Sequence, residues 1–161
     1  MPSTRDIRRR IRSVKNTAQI TKAMQMVAAS KMRKAQQSAL AGRPYAALMN
    51  QVLGNVALNV GDYSHPLMEK REVKRHCVIL VSSDKGLCGA LNSNLLREAA
   101  KFDKGATVYI TAGRKAAQFV VRTKRQLAAE FTYKDAPLFS EARAIGKFAR
   151  DLFLKGEVDR V

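Results

Sequence analysis

Residues 77–92 read CVILVSSDKGLCGALN and join a predicted strand to a predicted helix. The first five residues are all apolar, as in a buried strand, and the Ser-Ser-Asp that follows bounds them. A turn with two glycines comes next, and residues 91–101 then carry apolar side chains at helical spacing. A strand that passes through a tight turn into a helix is the first half of a strand–helix–strand unit, so this stretch predicts a parallel sheet.

The residues downstream repeat this alternation. We predict a second strand at 106–111, a second helix at 114–124, a third strand or an irregular edge at 127–133, and a third helix at 139–155. Residues 156–161 have the composition of a turn that enters another strand. The pattern predicts an α/β fold, a parallel sheet with crossover helices, that is incomplete at its C-terminus.

The residues upstream predict one long helix, because 3–41 contain neither glycine nor proline. Its apolar side chains follow two stripes with a phase shift between them, as at a heptad stutter. The stripes are rich in alanine, which favours a slender coiled coil with another helix; the alternative is a core helix of a helical bundle. Gly42–Pro44 is predicted to kink or interrupt the helix, and residues 45–60 to resume it.

These patterns divide the chain into three parts. We predict a long N-terminal helix at 1–60, a linker at 61–75 and an α/β domain at 76–161. Two cysteines cannot form a disulfide scaffold, which favours a reducing compartment. The sequence has no apolar run near the ~18 residues of a membrane span, and no signal-peptide pattern is expected at its start.

The charge of the chain is concentrated in its first part. The 161 residues include 30 Lys and Arg against 13 Asp and Glu, for a formal net charge of +17. Eleven of those bases and one acid lie in residues 1–43, so +10 falls on the predicted helix. Such a charge calls for nucleic acid, anionic lipid or an acidic protein surface. A basic nucleic-acid-binding coiled-coil module stays open as an alternative, although residues 1–44 lack aromatic side chains that interleave with the bases.

The loop at 82–92 has the place of a phosphate-binding turn but not its sequence. It contains neither GxGxxG nor GxxxxGK[ST], and Lys85 precedes the glycines. A tight turn is therefore favoured, with a nucleotide-binding α/β domain as the weaker alternative. Ser83 and Asp84 fit a turn and a cap, Cys77 fits a buried, inert thiol, and Cys88 a more exposed one. No catalytic, cofactor or metal site is expected, since HExxH, GxSxG and Cys–His pairings are missing from the sequence.

Two stretches together carry a family resemblance. Residues 7–36 read IRRRIRSVKNTAQITKAMQMVAASKMRKAQ, and residues 82–92 read SSDKGLCGALN. Both closely resemble the gamma subunit of F-type ATP synthases, in the family's order and spacing, and GRPY at 42–45 and HP at 65–66 extend the match. The sequence is identified on these motifs as a member of that family.

The resemblance implies a central rotor shaft without a catalytic site or cofactor of its own. The N-terminal helix would pair with a C-terminal helix as an antiparallel coiled coil inside a hexamer of alpha and beta subunits. A Rossmann-like domain would lie against the epsilon subunit and the ring of membrane c subunits. Proton flow would turn the shaft, and ATP would be made on beta, at the cytoplasmic face of a bacterial inner membrane.

The resemblance also implies the interacting residues. The shaft set, expected near the acidic lever loops of beta, is Ile20, Lys22, Met24, Val27, Lys31, Arg33 and Lys34. The loop set, expected to face the same acidic lever, is Asp84, Lys85, Gly86, Leu87, Cys88 and Gly89. This sequence departs from the family in length: the second half of the domain and the C-terminal helix, its expected coiled-coil partner, are missing, as is the redox-active insertion of chloroplast relatives.

Overall fold

The computed structural model describes residues 3–59, 65–69, 71–133 and 137–161. The chain divides into two compact units, residues 1–62 and residues 63–161. The predicted linker at 61–75 falls partly outside the described residues, at 61–64 and 70.

The first unit is a single helix, α1, Thr4–Asn59. Ser3 begins it: its Oγ accepts a 3.3 Å hydrogen bond from the Asp6 backbone N–H and donates a 2.9 Å bond to the Asp6 carboxylate. At 1.5 Å per residue, its 56 residues extend for about 84 Å. Every α1 side chain whose burial is described is exposed.

The predicted interruption of α1 at Gly42–Pro44 is wrong, because Pro44 lies inside the continuous helix. A proline removes the hydrogen bond to the carbonyl four residues earlier, here that of Leu40. Leu40 is exposed, so water can bond to this carbonyl, and the many regular turns on either side carry the helix across the defect.

The second unit is a three-layer α/β arrangement, which confirms the predicted fold class. After a short 3₁₀ turn, Pro66–Met68, its elements are β1 His76–Val81, α2 Leu91–Ala100, β2 Thr107–Ala112, α3 Arg114–Arg122, β3 Gln126–Phe131 and α4 Phe139–Leu154. The sheet has the order β1-β2-β3 with both pairs parallel. The segment at 127–133, predicted as a third strand or an irregular edge, contains the strand β3. Its pairing with β2 has one shift in register, between Tyr109 and Ile110.

Two apolar clusters form the core, one on each face of the sheet. All six residues of the central strand β2 are buried. On one face α4 packs against the sheet, and the buried members of that cluster are Cys77, Val108, Ile110, Ala149, Phe153 and Val158. On the other face α2 and α3 contribute, and the buried members are Leu80, Ala99, Tyr109, Ala116, Phe119 and Val120. The core therefore fixes the positions of β1, β2 and α3, and with them the loops at the carboxyl ends of the strands.

The end of the chain returns to the free side of β1. Arg160 forms an isolated parallel bridge with His76, and its carbonyl accepts a 2.7 Å hydrogen bond from the Cys77 N–H. This bridge agrees with the predicted turn into another strand at 156–161. Among the described residues, no helix is long and apolar enough to cross a bilayer.

Candidate subunit interface

The shaft set lies along one helix and is solvent-exposed. It comprises Ile20, Lys22, Met24, Val27, Lys31, Arg33 and Lys34, all exposed on α1. Its three apolar side chains are 57% to 67% exposed. These large apolar side chains in water, on the same helix segment as four cations, give α1 a surface suited to a partner that is both apolar and acidic.

The loop set lies in the second unit, between β1 and α2. The residues at the start of this loop cap the N-terminus of α3. The Asp84 carboxylate accepts a 2.9 Å hydrogen bond from the Arg114 N–H, and the Ser83 carbonyl accepts one of 3.3 Å from the Lys115 N–H. The Ser82 Oγ accepts a 2.8 Å bond from the Ala116 N–H. Three consecutive loop residues thus satisfy the first three N–H groups of α3, which lie 30 to 34 residues further along the chain.

This cap determines what the N-terminus of α3 can bind. A phosphate at a helix N-terminus needs N–H groups that are free to bond it. Those of α3 are already bonded to the protein's own Ser82, Ser83 and Asp84. The predicted role of Ser83 and Asp84 as a turn and cap is confirmed, and the helix that they cap is α3, not the α2 that follows them in sequence.

Ser82 is fixed from three further directions. Its N–H donates to the Ala112 carbonyl at 2.8 Å, as part of the strand pairing. The Tyr133 hydroxyl donates to the Ser82 carbonyl at 2.7 Å. Gly113, with φ +104, packs so closely that a Cβ there would clash with this carbonyl. The base of the loop is therefore rigid relative to β2 and α3.

The tip of the loop presents an apolar side chain to solvent. Leu87 is fully exposed and has φ 62, a left-handed conformation that costs a non-glycine residue on the order of 1 kcal/mol. Behind the tip, the Asn92 side-chain amide donates to Ser83 Oγ at 2.8 Å and to Cys88 Sγ at 3.1 Å. The side chains of the loop interior therefore support the strained tip.

The structure brings the six loop residues together, but it gives them different roles. Asp84 is committed to the cap of α3, and Cys88 is half-buried beside Asn92. Lys85, Gly86 and Leu87 are exposed, and a side chain at Gly86 would meet open space. The shaft set lies in the other unit, on α1.

Sequence reasoning missed the residues that hold this loop. The loop is contacted by Gly113 and Arg114 at the start of α3, and by Tyr133, two residues after β3. The signal in the sequence was the Gly-Arg pair at 113–114, which lies between a predicted strand and a predicted helix as the first loop does. Nothing local shows, however, that the two loops contact each other.

Burial is the main cause of the pKa shifts of two groups in the second unit, Tyr133 and Cys77. Burial raises the pKa of the Tyr133 phenol, and the Asp84 carboxylate adds to the rise. Cys77 at the start of β1 is buried, as predicted, and this burial raises the pKa of its thiol. Within the described ranges, no group of three or more His, Cys, Asp or Glu is placed to hold a metal ion.

Comparison with known proteins gives a consistent result. A family model described as ATP synthase matches residues 3–161. The ATP synthase gamma chain of Opitutus terrae is 52% identical over 161 residues, which cover 100% of this chain and 54% of the relative. That of Methylacidiphilum infernorum is 47% identical over 166 residues, with 100% and 57% covered. This chain therefore spans about half the length of the curated relatives it matches.

A solved structure has a similar fold. In the central stalk and c-ring structure of Tetrahymena thermophila mitochondrial ATP synthase, one chain superimposes with a TM-score of 0.65 at 28% identity. The match covers 82% of this chain and 59% of that one.

Proposed function

Since this chain belongs to the ATP synthase family and matches its gamma chains, we propose that it forms the N-terminal part of the central rotor shaft of an F-type ATP synthase. Proton flow through the membrane c ring turns the shaft. The asymmetric shaft then drives the catalytic sites of the beta subunits, one after another, through open and closed states. The chain itself supplies torque and timing and holds neither a catalytic site nor a cofactor.

The proposal includes the partners of such a shaft. Alpha and beta subunits surround α1, a C-terminal helix of the gamma subunit pairs with it, and the α/β unit contacts the epsilon subunit and the c ring. Nucleic acid is not a partner. The assembly places the chain at the cytoplasmic face of a bacterial inner membrane.

One observation carries the proposal: α1 is a helix of 56 residues whose described side chains are all exposed. Helices in proteins gain most of their stability from packing of an apolar face, so an uncovered apolar stripe of this length requires another surface. An apolar stripe and +10 of charge together on one helix fit a bearing formed by other protein subunits.

The cations of the shaft set act by screened electrostatics. Exposed ion pairs contribute about 0.2 to 1 kcal/mol each, and salt weakens them. Weak, replaceable pairs suit a shaft that must leave one beta subunit and meet the next, because a strong interlocked interface would stop rotation. Arg33 and Lys34 of the shaft set are exposed bases of this kind, and so is Lys85 of the loop set.

The test uses the ATP synthase that carries this chain. Arg33→Glu with Lys34→Glu should lower the rate of ATP hydrolysis at low ionic strength, and the difference from the unmodified enzyme should shrink as salt is added. The matched control reverses two exposed bases on α4, Arg143→Glu with Lys147→Glu, and should leave the rate unchanged.

Other outcomes would overturn the proposal. An assembled enzyme whose rate ignores the α1 reversal at every salt concentration would contradict a role for this surface. Binding of the chain to DNA with a steep salt dependence, together with failure to co-purify with alpha and beta subunits, would support the nucleic-acid alternative instead.

A further inference from the structure

We propose that Arg71 and Asp159 form a clamp that anchors the chain segment through which torque passes between the α/β unit and α1. The inference rests on the proposed rotor function and names two positioning residues for it. The covalent connection from α1 to β1 is residues 60–75, because α1 ends at Asn59 and β1 begins at His76. In a rotor whose α/β unit is turned by the ring and whose α1 turns inside the hexamer, this connection is under load.

The end of the connection next to β1 has no regular structure of its own. Residues 71–75, all of which the structure describes, belong to no helix or strand, and those at 72–75 are exposed. Exposed segments with few buried contacts are the ones that open locally most readily. Under load such a segment would lengthen instead of passing the motion on, unless other parts of the unit hold it.

Arg71 attaches this segment to the C-terminal end of α4. Its Nη1 donates a 2.9 Å hydrogen bond to the Phe153 carbonyl, 82 residues further along the chain, and its guanidinium lies 4.5 Å from the centroid of the Phe153 ring. Its Nε and Nη2 both donate to one carboxylate oxygen of Glu69, at 3.1 and 2.9 Å, which fixes the guanidinium plane. Because Phe153 belongs to the buried core, Arg71 ties the segment to that core.

Asp159 attaches the same segment closer to β1. One oxygen of its carboxylate accepts hydrogen bonds from the Lys74 N–H at 3.0 Å and from the Arg75 N–H at 2.8 Å. In return, the Asp159 N–H donates to the Arg75 carbonyl at 2.9 Å. Hydrogen bonds to an ionised acceptor are stronger than those between neutral groups, so this attachment is the stronger for its carboxylate.

The two attachments lie on either side of one turn that is itself fixed. Phe153 is in the last turn of α4, and the Gly156 and Glu157 N–H groups that follow it are bonded to carbonyls of that turn. Val158, the residue before Asp159, is buried in the core. Phe153 and Asp159 therefore keep a constant spacing, and a load must break hydrogen bonds at both before the segment lengthens.

The experiment uses the ATP synthase that carries this chain, in membrane vesicles in which ATP hydrolysis pumps protons. Arg71→Ala should lower the number of protons pumped per ATP hydrolysed. The deficit should grow as the proton gradient builds up, because the torque on the connection grows with the gradient. The matched control is Arg150→Ala: this exposed arginine pairs with Asp151, its neighbour on the same helix, and its loss should leave the ratio unchanged.

Amide hydrogen exchange on the same enzymes tests the clamp directly. In Arg71→Ala, the Lys74 and Arg75 amides should exchange at least about tenfold faster, because a lost hydrogen bond from a charged group raises the local opening constant by that order. Both amides bond to Asp159 and not to Arg71. Faster exchange would therefore show that the two attachments act as one, and unchanged exchange would overturn the clamp.

The pumping results separate this inference from the proposed function. If Arg71→Ala assembles and keeps the parent's ratio at every gradient, the clamp is overturned and the rotor function stands. A deficit of the same size at every gradient also overturns it, since a load-bearing role requires a dependence on load. If an enzyme without this chain still pumps as the parent does, the rotor function itself fails.

A second variant keeps the test available if Arg71→Ala prevents assembly. Arg71→Gln removes the charge and the ion pair with Glu69 but keeps a polar side chain of intermediate length. It should show the same load-dependent deficit, in smaller size, against Arg150→Gln as its control. Equal ratios for these two variants at every gradient would contradict the clamp.

Discussion

Gly113 packs against the main chain of Ser82. This contact holds together the residues that directly follow the carboxyl ends of β1 and β2. A Cβ at Gly113 would clash with the Ser82 carbonyl oxygen and lie 2.9 Å from the Ser82 Oγ. Gly113 also has φ +104 and donates its N–H to the Phe131 carbonyl at 3.0 Å. Only glycine meets both demands, so the cap of α3 by the first loop depends on this residue.

The first prediction concerns this contact. Gly113→Ala should destabilise the α/β unit by about 2 kcal/mol or more, because alanine adds backbone strain to a clash with main-chain atoms that cannot rotate away. Guanidinium denaturation followed by tyrosine fluorescence measures the effect. Gly146→Ala on α4 is the matched control: a Cβ there meets open space and the helix should gain slightly. Equal midpoints for the two variants would contradict the prediction.

The second prediction concerns Tyr109, a tyrosine in the core. Tyr109 is fully buried, donates to the Ala99 carbonyl at 2.8 Å and accepts from Arg125 at 3.1 Å. Tyr109→Phe should lower the free energy of unfolding by about 1 to 2 kcal/mol, because the Ala99 carbonyl loses a buried hydrogen bond and Arg125 a part-buried one. Tyr45→Phe on α1, where the ring is 69% exposed, should change nothing. A Tyr109→Phe variant as stable as the parent would show that water replaces the hydroxyl.

The third prediction concerns the two thiols. Cys77 is 3% exposed and its pKa is raised by burial, whereas Cys88 is half-buried in the loop. A raised pKa lowers the thiolate fraction at neutral pH, and the thiolate is the reactive form. A maleimide reagent should therefore label Cys88 at least about tenfold faster than Cys77 in the folded chain. Labelling of Cys88→Ser should then require denaturant; rapid labelling of that variant without it would contradict the burial of Cys77.

The fourth prediction concerns pH. The Asp159 carboxylate accepts hydrogen bonds from the Arg75 N–H at 2.8 Å and the Lys74 N–H at 3.0 Å, and these bonds lower its pKa. A group with a lowered folded-state pKa stabilises the fold fully above its unfolded-state pKa, near pH 4, and loses that contribution as the pH falls through the folded value. The midpoint difference between the parent and Asp159→Asn should thus be constant above about pH 5 and shrink towards about pH 3.

The control for this prediction is Asp103→Asn. Asp103 also accepts backbone hydrogen bonds, from the Gly105 and Ala106 N–H groups, but it lies in a local turn and does not join distant segments. Above about pH 5, the midpoint difference between the parent and Asp103→Asn should be smaller than that between the parent and Asp159→Asn. The reason is that Asp159 ties the start of β1 to the last residues of the chain. If the midpoint difference between the parent and Asp159→Asn grew as the pH fell, its sign would contradict a lowered pKa of Asp159.

The element order was predictable because its signals are local. Cys77–Val81 is an unbroken apolar run, and the observed β1, His76–Val81, adds one residue to it. The helical spacing at 139–155 predicted α4, Phe139–Leu154, within one residue. Pro44 was the exception: a local breaker signal was overridden because one missing hydrogen bond is a small defect in a helix of 56 residues.

The loop shows where local signals stop. Its glycines, its lysine and its strand-to-helix setting could all be read from residues 82–92, and the family motif predicts that the loop is an interface. Its actual cap partner lies 30 residues away at Arg114, and Tyr133 lies 51 residues from Ser82. Periodicity and turn chemistry report on neighbours within a few residues, so they could not show that these groups meet.

By itself, the sequence determined the long basic helix, the alternating strands and helices, and the family. Each follows from spacing, composition or a contiguous motif. The tertiary structure alone decided that Ser82, Ser83 and Asp84 cap α3 and that Gly113 must be glycine. These depend on the parallel pairing of β1 with β2, which brings the carboxyl ends of both strands to one edge of the sheet and their loops into contact.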